Sequence, residues 1–223
     1  ADFRDHATSN LIARIFELHD KENFEVIAFS FCPLNSKDLT QKRIINACSK
    51  FIDVKNKTDQ EISLLSKELE IDIALDLMGF VNNNRYNIFA KGCAPIQINY
   101  LGYPGTCGPG VMDYIIADNT LITKENEKFF SEKIITLPNC YQPNDDKKEI
   151  SKKKFSKKEF NLPENKFIFC SFNRSYKITL KIFEIWCDIL KKKTNSVLWL
   201  FADNEMTKNN LKNEASKFKI NVD

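Results

Sequence analysis

Short apolar segments alternate along this chain with segments whose apolar residues recur at helical spacing. Most of the short segments are too continuously hydrophobic to have one wet face, so they are typical of strands covered on both sides. The alternation predicts an α/β fold built on a parallel, doubly wound, Rossmann-like sheet. The predicted strands of the first part are Phe24–Phe31, Phe51–Val54, Ile71–Met78, Ile96–Leu101, Ile115–Ala117 and Ile134–Leu137.

The helical segments are marked by their apolar faces and by their start signals. The pair Thr58 and Glu61 forms a capping box that opens one helix. Another helix is marked by Leu11, Ile12, Ile15, Phe16 and Leu18. The pattern restarts late in the chain with strand Lys166–Ser171, a helix, strand Val197–Phe201 and a last helix that begins near Asn204. The residues expected to face inward on the first of these late helices are Ile182, Ile185, Trp186, Ile189 and Leu190.

A boundary is indicated where apolar periodicity stops, between residues 144 and 163. Seven lysines crowd into Lys147–Lys158, which favours a solvated linker over a functional basic patch. The predicted domains are therefore residues 1–143, which are Rossmann-like, and residues 164–223, which start a second Rossmann-like domain. Because the chain opens in a polar loop where a strand is normal and the second domain is short, we expect an internal fragment whose first strand is missing.

Composition excludes several classes of protein. With 33 basic and 30 acidic side chains, the net charge of +3 is too balanced to argue for nucleic acid. The sequence contains no apolar run of 18 residues and no signal peptide, so no membrane partner is expected. The seven cysteines are scattered without CxxC spacing, which suggests neither disulfides nor zinc and fits a cytoplasmic location.

One loop concentrates the glycine of this chain. Four of the six glycines lie between Gly102 and Gly110, together with two prolines, directly after a predicted strand. Glycine permits close backbone approach, and ligands of α/β sheets bind at the carboxyl ends of strands. The loop matches neither a P-loop nor a GxGxxG fingerprint. A purely structural connection between two strands is the alternative interpretation.

Two other loops contain side chains that are candidates for binding or catalysis. His6 follows Asp2, Arg4 and Asp5 before the first helix, where an acid or base could meet an anionic ligand, although a helix cap or surface loop is equally consistent. Arg174 and Lys177 precede a helix start expected at Ile178 or Thr179, so a cation and a positive dipole end could stabilise a diphosphate leaving group, although a solvated lysine is the simpler interpretation. No DxD pair lies near either loop, which argues against a metal.

Five segments resemble one known family, the O-linked N-acetylglucosamine transferases in their bacterial form. The combination of LGYPGT, MDYIIAD and a downstream FNxxYKI is highly specific, and the resemblance spans essentially the whole chain. The matching segments are Asp2–Ile12, Ala94–Asp118, Ser131–Asp145, Cys170–Ile178 and Asn195–Leu200.

The resemblance implies a two-domain GT-B glycosyltransferase, normally preceded by tetratricopeptide repeats. Such an enzyme transfers N-acetylglucosamine from UDP-GlcNAc, with inversion and without metal or cofactor, to Ser or Thr hydroxyls of acceptor proteins. By similarity, Lys177 stabilises the departing UDP and His6 lies near the acceptor as a candidate base. Arg174 stands where the family usually has an amide. The implied donor-binding residues are Leu101, Gly102, Tyr103, Pro104, Gly105, Thr106, Asn173, Arg174 and Tyr176.

Three alternatives remain at this stage. A relative could use GDP-fucose, as SPINDLY-type proteins do, or transfer glucose from UDP-glucose to asparagine. A non-catalytic peptide-binding remnant would tolerate loss of Lys177. Because the family's later histidine-containing donor loops lie beyond residue 223, we expect residues 1–223 alone to bind UDP-sugar poorly and to turn over little.

Overall fold

The computed structural model describes residues 3–222, which divide after Glu149 into two compact units. The first unit contains, in chain order, α1 (Ala7–Leu18), β1 (Ile27–Ser30), α2 (Leu39–Ala47), β2 (Lys50–Asp53), α3 (Asp59–Glu68), β3 (Ile73–Asp76), α4 (Asn87–Ala90), β4 (Ile96–Asn99), β5 (Tyr114–Asp118), a 3-10 turn (Glu127–Phe129) and β6 (Lys133–Leu137). The second contains 3-10 turns Lys157–Phe160 and Ser175–Lys177 with β7 (Phe167–Ser171), α5 (Leu180–Lys192), β8 (Ser196–Leu200) and α6 (Glu205–Lys217). The predicted domain limits at residues 143 and 164 stay predictions.

Every strand pair in the described residues is parallel, and the predicted α/β, Rossmann-like class is confirmed. The six strands of the first unit form a pair, β1-β2, and a separate sheet of order β3-β4-β5-β6, where a single sheet was expected. The second unit contains the pair β7-β8. Because neighbouring strands are parallel, all the loops that leave the carboxyl ends of β3, β4, β5 and β6 emerge at one edge of the sheet.

Local signals fix where the helices begin. At the start of α3, the Glu61 amide donates to the Thr58 hydroxyl over 3.2 Å, and the Glu61 carboxylate accepts from the Thr58 amide over 2.7 Å. This confirms the predicted capping box. The last helix is capped by Asn204, whose side-chain oxygen accepts from the Thr207 amide, so it begins where the sequence indicated.

Strands β3 and β4 depart from the prediction that both faces are covered. Ile73, Leu75 and Ile96 share one face through the parallel register, and they are 47%, 46% and 37% exposed. On the opposite face, Ala74 packs against a cluster that contains Ile62 of α3 and Ile88 of α4. The prediction was wrong because the described helices α3 and α4 cover one side of these strands, whereas a continuous apolar run indicates burial without saying on how many faces.

The inward face predicted for α5 is also wrong in part. Ile182, Ile185 and Ile189 are exposed, whereas Phe183 and Cys187, spaced four residues apart, are the buried positions. The helix packs on β8, within a sheet of two strands. A pair of strands covers a narrower stripe than the wide apolar face of α5, so one edge of that face stays exposed.

The segment after β6 is anchored to the first two helices, which differs from the solvated segment expected from residue 144 onward. The Arg43 guanidinium of α2 binds Asp145 through two nitrogens, at 2.6 and 3.2 Å, and binds Glu17 of α1 at 2.9 Å. Arg14 of α1 binds Asp146 at 2.7 Å. The Asp145 side chain is only 4% exposed, because the ion pair turns it inward. Hydrogen bonding to Arg43 lowers the pKa of Asp145 below its usual range.

Replacing Asp145 with asparagine will destabilise the first unit by about 2 kcal/mol at neutral pH, because a charge-assisted bidentate pair is lost. Since the folded-state pKa of Asp145 lies below the unfolded value, the pair stabilises fully above a pH of roughly 4 and is lost as pH falls through the folded pKa. The difference between wild type and Asp145→Asn should therefore shrink in acid. Far-UV circular dichroism of urea unfolding at several pH values measures it.

Asp146→Asn is the matched control, since the Asp146 side chain is 71% exposed and its pair is solvated. It should change the free energy of unfolding by only a few tenths of a kcal/mol. A cost for Asp145→Asn that stays constant from pH 7 to pH 3 would show that shape, and not charge, holds the segment.

Candidate functional site

The glycine-rich loop begins with a strained turn at the end of β4. Leu101 has a φ of 75°, and the Gly102 amide donates to the Tyr100 carbonyl over 3.0 Å, which closes a γ-turn. A bulky residue in this conformation is uncommon and costs energy. The Leu101 side chain is 7% exposed and belongs to the same hydrophobic cluster as Phe3 and Leu77. Burial of Leu101 therefore offsets the strain and fixes the direction in which the loop leaves the sheet.

Gly102 packs directly against the backbone of the two residues that follow β3, Leu77 and Met78. A Cβ built at Gly102 would collide with the Leu77 carbonyl oxygen and lie 2.8 Å from that of Met78. These are backbone atoms, so no side-chain rotation can make room. The close approach that the sequence predicted for this loop is thus an approach to the protein's own backbone at Gly102.

The chain beneath the loop is held by Asp76, at the carboxyl end of β3. The two carboxylate oxygens of Asp76 accept from the amides of Met78, at 2.9 Å, and Gly79, at 3.0 Å. Burial raises the pKa of Asp76, and the two amide hydrogen bonds oppose that rise. Gly79 has a φ of 63° and approaches Tyr103 of the loop so closely that a Cβ there would meet the Tyr103 Cβ at 2.9 Å.

Asn99, next to Asp76 in the sheet register, holds the middle of the loop. Its side-chain nitrogen donates to the carbonyls of Tyr103, at 3.2 Å, and Gly105, at 2.9 Å. The Asn99 side chain is fully buried, and its Oδ1 accepts no hydrogen bond from the described residues. An unsatisfied buried acceptor costs roughly 1–3 kcal/mol. Asn99 therefore shapes the loop at a cost to stability, which is typical of functional sites.

The far half of the loop is held from β6 and from the start of α4. The Glu132 carboxylate accepts from the Cys107 amide at 2.5 Å and from the Thr106 hydroxyl at 2.7 Å. On the other side, the Tyr86 hydroxyl donates to the Cys107 carbonyl over 2.8 Å. Burial, and secondarily the nearby Glu132 charge, raises the pKa of Cys107 to about 12. Sequence reasoning found this loop but missed the polar side chains that hold it.

His6 caps α1, so the structural alternative considered from the sequence is present. Its Nδ1 accepts from the Thr8 amide over 3.4 Å. A nitrogen that accepts cannot carry the ring proton, so a neutral His6 ring in this arrangement has its proton on Nε2. The preceding loop is fixed by the Asp5 amide, which donates to the Asp38 carboxylate at the start of α2 over 2.6 Å. Asp2 lies outside the described residues, and the chemical role of His6 stays a prediction.

The candidate residues of the second unit follow β7. Ser175–Lys177 forms a 3-10 turn, and Thr179 caps α5 by accepting from the Ile182 amide over 3.3 Å. Helix α5 begins at Leu180, slightly later than expected. The Tyr176 side chain is 81% exposed. An Arg174 nitrogen lies 4.0 Å from the Asp203 carboxylate, in the loop that follows β8, so Arg174 is drawn toward an acidic neighbour that the sequence did not single out.

The structure thus brings the candidate residues together in two groups. Residues 101–106 form one loop of the first unit, and the loop that carries His6 is anchored to the same core through Phe3. Asn173, Arg174, Tyr176 and Lys177 form one loop of the second unit. Among residues 3–222, no group of three or more His, Cys, Asp or Glu side chains could hold a metal ion. Within the same residues, no helix is long and apolar enough to cross a membrane.

Comparison with known proteins decides the family. The family model described as Glycosyl transferase family 41 matches residues 1–155 and 150–223. The chain belongs to glycosyltransferase family 41. This confirms the resemblance to the O-linked N-acetylglucosamine transferases that the LGYPGT and FNxxYKI motifs indicated.

Two curated plant proteins illustrate the relationship within family 41. A probable UDP-N-acetylglucosamine–peptide N-acetylglucosaminyltransferase SEC of Arabidopsis thaliana is 36% identical over 207 residues, which cover 90% of this chain and 21% of that protein. A probable enzyme of the same description, SPINDLY of Eustoma exaltatum subsp. russellianum, is 30% identical over 200 residues, which cover 87% of this chain and 21% of that protein. The chain therefore spans about one fifth of the curated relatives it matches.

A solved structure supports the fold. A mutant O-GlcNAc transferase of Thermobaculum terrenum superposes with a TM-score of 0.84 at 24% identity, over 99% of this chain and 41% of that chain. At this identity the match is evidence for the fold alone. The predicted GT-B class is confirmed, and this family 41 chain covers part of such a fold.

Proposed function

We propose that this family 41 chain is part of the catalytic region of a protein O-GlcNAc transferase, which transfers N-acetylglucosamine from UDP-GlcNAc to Ser or Thr hydroxyls. The observation that carries the proposal is the loop of residues 101–107, which is held at the carboxyl edge of a parallel sheet by buried polar side chains. Such an edge is where α/β folds bind ligands. The name of the SEC relative favours UDP-GlcNAc as the donor.

In the proposed reaction, the acceptor hydroxyl oxygen attacks the anomeric carbon as its bond to the UDP oxygen breaks. Attack from the face opposite the diphosphate inverts the sugar. The electron pair of the broken bond leaves with UDP, where the Lys177 ammonium and the amino end of α5 stabilise the added negative charge without a metal. The hydroxyl proton passes to a base directly or through one water. The residues of the glycine-rich loop contact the sugar.

A donor panel tests this proposal on the purified full-length natural polypeptide. Radiolabelled UDP-GlcNAc, GDP-fucose and UDP-glucose are each offered with acceptor peptides, with and without EDTA. We expect label only from UDP-GlcNAc, undiminished by EDTA, and released from the peptide by β-elimination as Ser and Thr linkages are. A β-linked product from the α-linked donor would establish inversion. Transfer of fucose, transfer to asparagine or loss of activity in EDTA would each refute the corresponding part.

As a base, His6 must take the hydroxyl proton on Nδ1, which requires Nδ1 to release the Thr8 amide. Replacing His6 with asparagine separates this role from capping, because asparagine is a good helix cap but cannot accept the hydroxyl proton. We expect His6→Asn to leave the unfolding free energy within about 0.5 kcal/mol of wild type, and to lower kcat roughly 10²-fold. His6→Ala should lower kcat similarly and also destabilise the protein by about 1 kcal/mol through loss of the cap. Steady-state kinetics and urea unfolding of both variants measure this.

Full activity in His6→Asn would show that His6 only caps α1. An equal loss of stability in both variants would show that asparagine does not replace the cap, and the kinetic comparison would then depend on the residual folded fraction.

A further inference from the structure

We propose that Glu132 is a positioning residue of the glycine-rich loop, which fixes the sugar-binding residues from the far side. Its effect on transfer rests on the proposed function, whereas its effect on the loop does not. Glu132 is 5% exposed and stands immediately before β6. Its two carboxylate oxygens accept hydrogen bonds from the Cys107 amide at 2.5 Å, the Thr106 hydroxyl at 2.7 Å and the Ser131 hydroxyl at 3.2 Å.

The contacts also set the direction of the Thr106 hydroxyl. Since the Thr106 hydroxyl donates its hydrogen bond to Glu132, its oxygen is oriented to accept one, and the Gly108 amide donates to that oxygen over 3.2 Å. One carboxylate thereby orders three consecutive residues of the loop, 106 to 108. Gly108 has a φ of 86°, so this stretch departs from ordinary extended backbone and needs such support.

Burying a carboxylate costs more desolvation free energy than burying a neutral hydrogen-bond acceptor. Desolvation of a carboxylate costs several kcal/mol unless its lone pairs are filled, and no Lys or Arg pairs with Glu132 among the described ion pairs. The desolvation of Glu132 is offset by hydrogen bonds from neutral donors, all of which lie in the loop or beside it. The two oxygens of Glu132 therefore serve as hydrogen-bond acceptors for this loop and its neighbour Ser131.

Side chains from different elements consequently hold successive parts of the loop. Asn99 fixes its middle from β4 through the carbonyls of Tyr103 and Gly105, and Glu132 fixes its far half from β6. Without Glu132, Tyr86 alone would tether Cys107 by a side-chain hydrogen bond. The proposed sugar-binding residues 101–106 run from the end of β4 to the Glu132 contact at Thr106, so loss of Glu132 should loosen them and weaken donor binding more than it slows the chemical step.

The test compares Glu132→Ala with Glu132→Gln in the purified full-length natural polypeptide. Glutamine keeps an oxygen for the Cys107 amide and can donate to Thr106, so it should rescue. Glu125→Ala, at an exposed position, is the matched control. The first readout is alkylation by iodoacetamide, mapped for each cysteine by mass spectrometry. Cys107 is 3% exposed, whereas Cys140 and Cys170 are exposed and serve as the labelled reference.

We expect Cys107 to be protected in wild type, Glu125→Ala and Glu132→Gln, and to label at least 10-fold faster in Glu132→Ala while buried Cys93 stays protected. The second readout is kinetic. The KM for UDP-GlcNAc should rise roughly 10-fold in Glu132→Ala, with kcat within about 3-fold of wild type, and Glu132→Gln should stay near wild type.

Unchanged labelling of Cys107 in Glu132→Ala would overturn the claim that Glu132 holds the far half of the loop. Faster labelling with an unchanged KM would overturn the positioning role. If Cys93 also labels, Glu132→Ala has unfolded the unit, and Thr106→Val, which removes the hydroxyl that bonds Glu132 and the Gly108 amide, decides by the labelling of Cys107 alone, because Thr106 is itself a proposed donor-binding residue. Wild-type protein that transfers no sugar from any donor refutes the proposed function. The labelling comparison would still test whether Glu132 holds the loop.

Discussion

Replacing Lys177 with alanine will lower kcat for sugar transfer roughly 10²- to 10³-fold, with a stability equal to that of wild type. The Lys177 side chain is exposed, and its ammonium forms no hydrogen bond or ion pair with the described residues. Nothing in the fold therefore depends on it. In the proposed reaction, its charge meets the diphosphate most strongly as the bond to the sugar breaks, so removal affects the transition state more than the bound donor.

The matched control is Lys181→Ala, at the second residue of α5, where an exposed lysine is removed from the same helix end. We expect Lys181→Ala to retain nearly full activity and Lys177→Arg to recover only part of it, because an arginine retains the charge but not the compact ammonium. Steady-state kinetics with UDP-GlcNAc measure all three variants. Equal losses in Lys177→Ala and Lys181→Ala would indicate a general field effect, and full activity in Lys177→Ala would favour the non-catalytic alternative.

The elements of this chain could be predicted where a local signal was strong. The capping box at Thr58 and the asparagine cap at Asn204 marked two helices at their first residues. Helix α2 was missed, because Gln41 occupies one of its core positions and breaks the apolar periodicity. Its signal was present in Asp38, which accepts from the Gln41 amide as an N-cap. A buried glutamine that bonds the Phe3 carbonyl is visible only in three dimensions.

The candidate site was predictable as a loop but not as a set of supports. Glycines and prolines marked where the loop lay, since those residues act through their own backbone. Asp76 and Asn99 each end an apolar strand at its carboxyl edge, and that position alone could have singled them out. Glu132 gave no such signal, because an isolated glutamate in a polar stretch is usually solvated. Only its contacts with residues 25 and 26 positions earlier distinguish it.

Replacing Gly102 with alanine will destabilise the first unit by about 3 kcal/mol, the largest stability effect we expect from a single methyl group in this chain. The added Cβ would collide with the Leu77 carbonyl and also approach the Met78 Cα at 2.9 Å. Both obstacles are backbone, and Leu77 is buried in the main core cluster. Relief requires the β3 and β4 connections to separate, which would also displace the residues proposed to bind the sugar. We therefore expect donor binding to fail along with stability.

Two other glycines provide matched controls for Gly102→Ala. Gly105→Ala would meet only the Tyr103 ring, which can move, and Gly92→Ala has open space but a φ of 67°. Gly105→Ala should cost about 1 kcal/mol and Gly92→Ala about 1–2 kcal/mol. Far-UV circular dichroism must follow the unfolding, because both tryptophans, Trp186 and Trp199, lie in the second unit. If Gly102→Ala unfolds at the same urea concentration as Gly105→Ala, the backbone contact beneath the loop is not rigid, and the loop owes its shape to Asn99 and Glu132 instead.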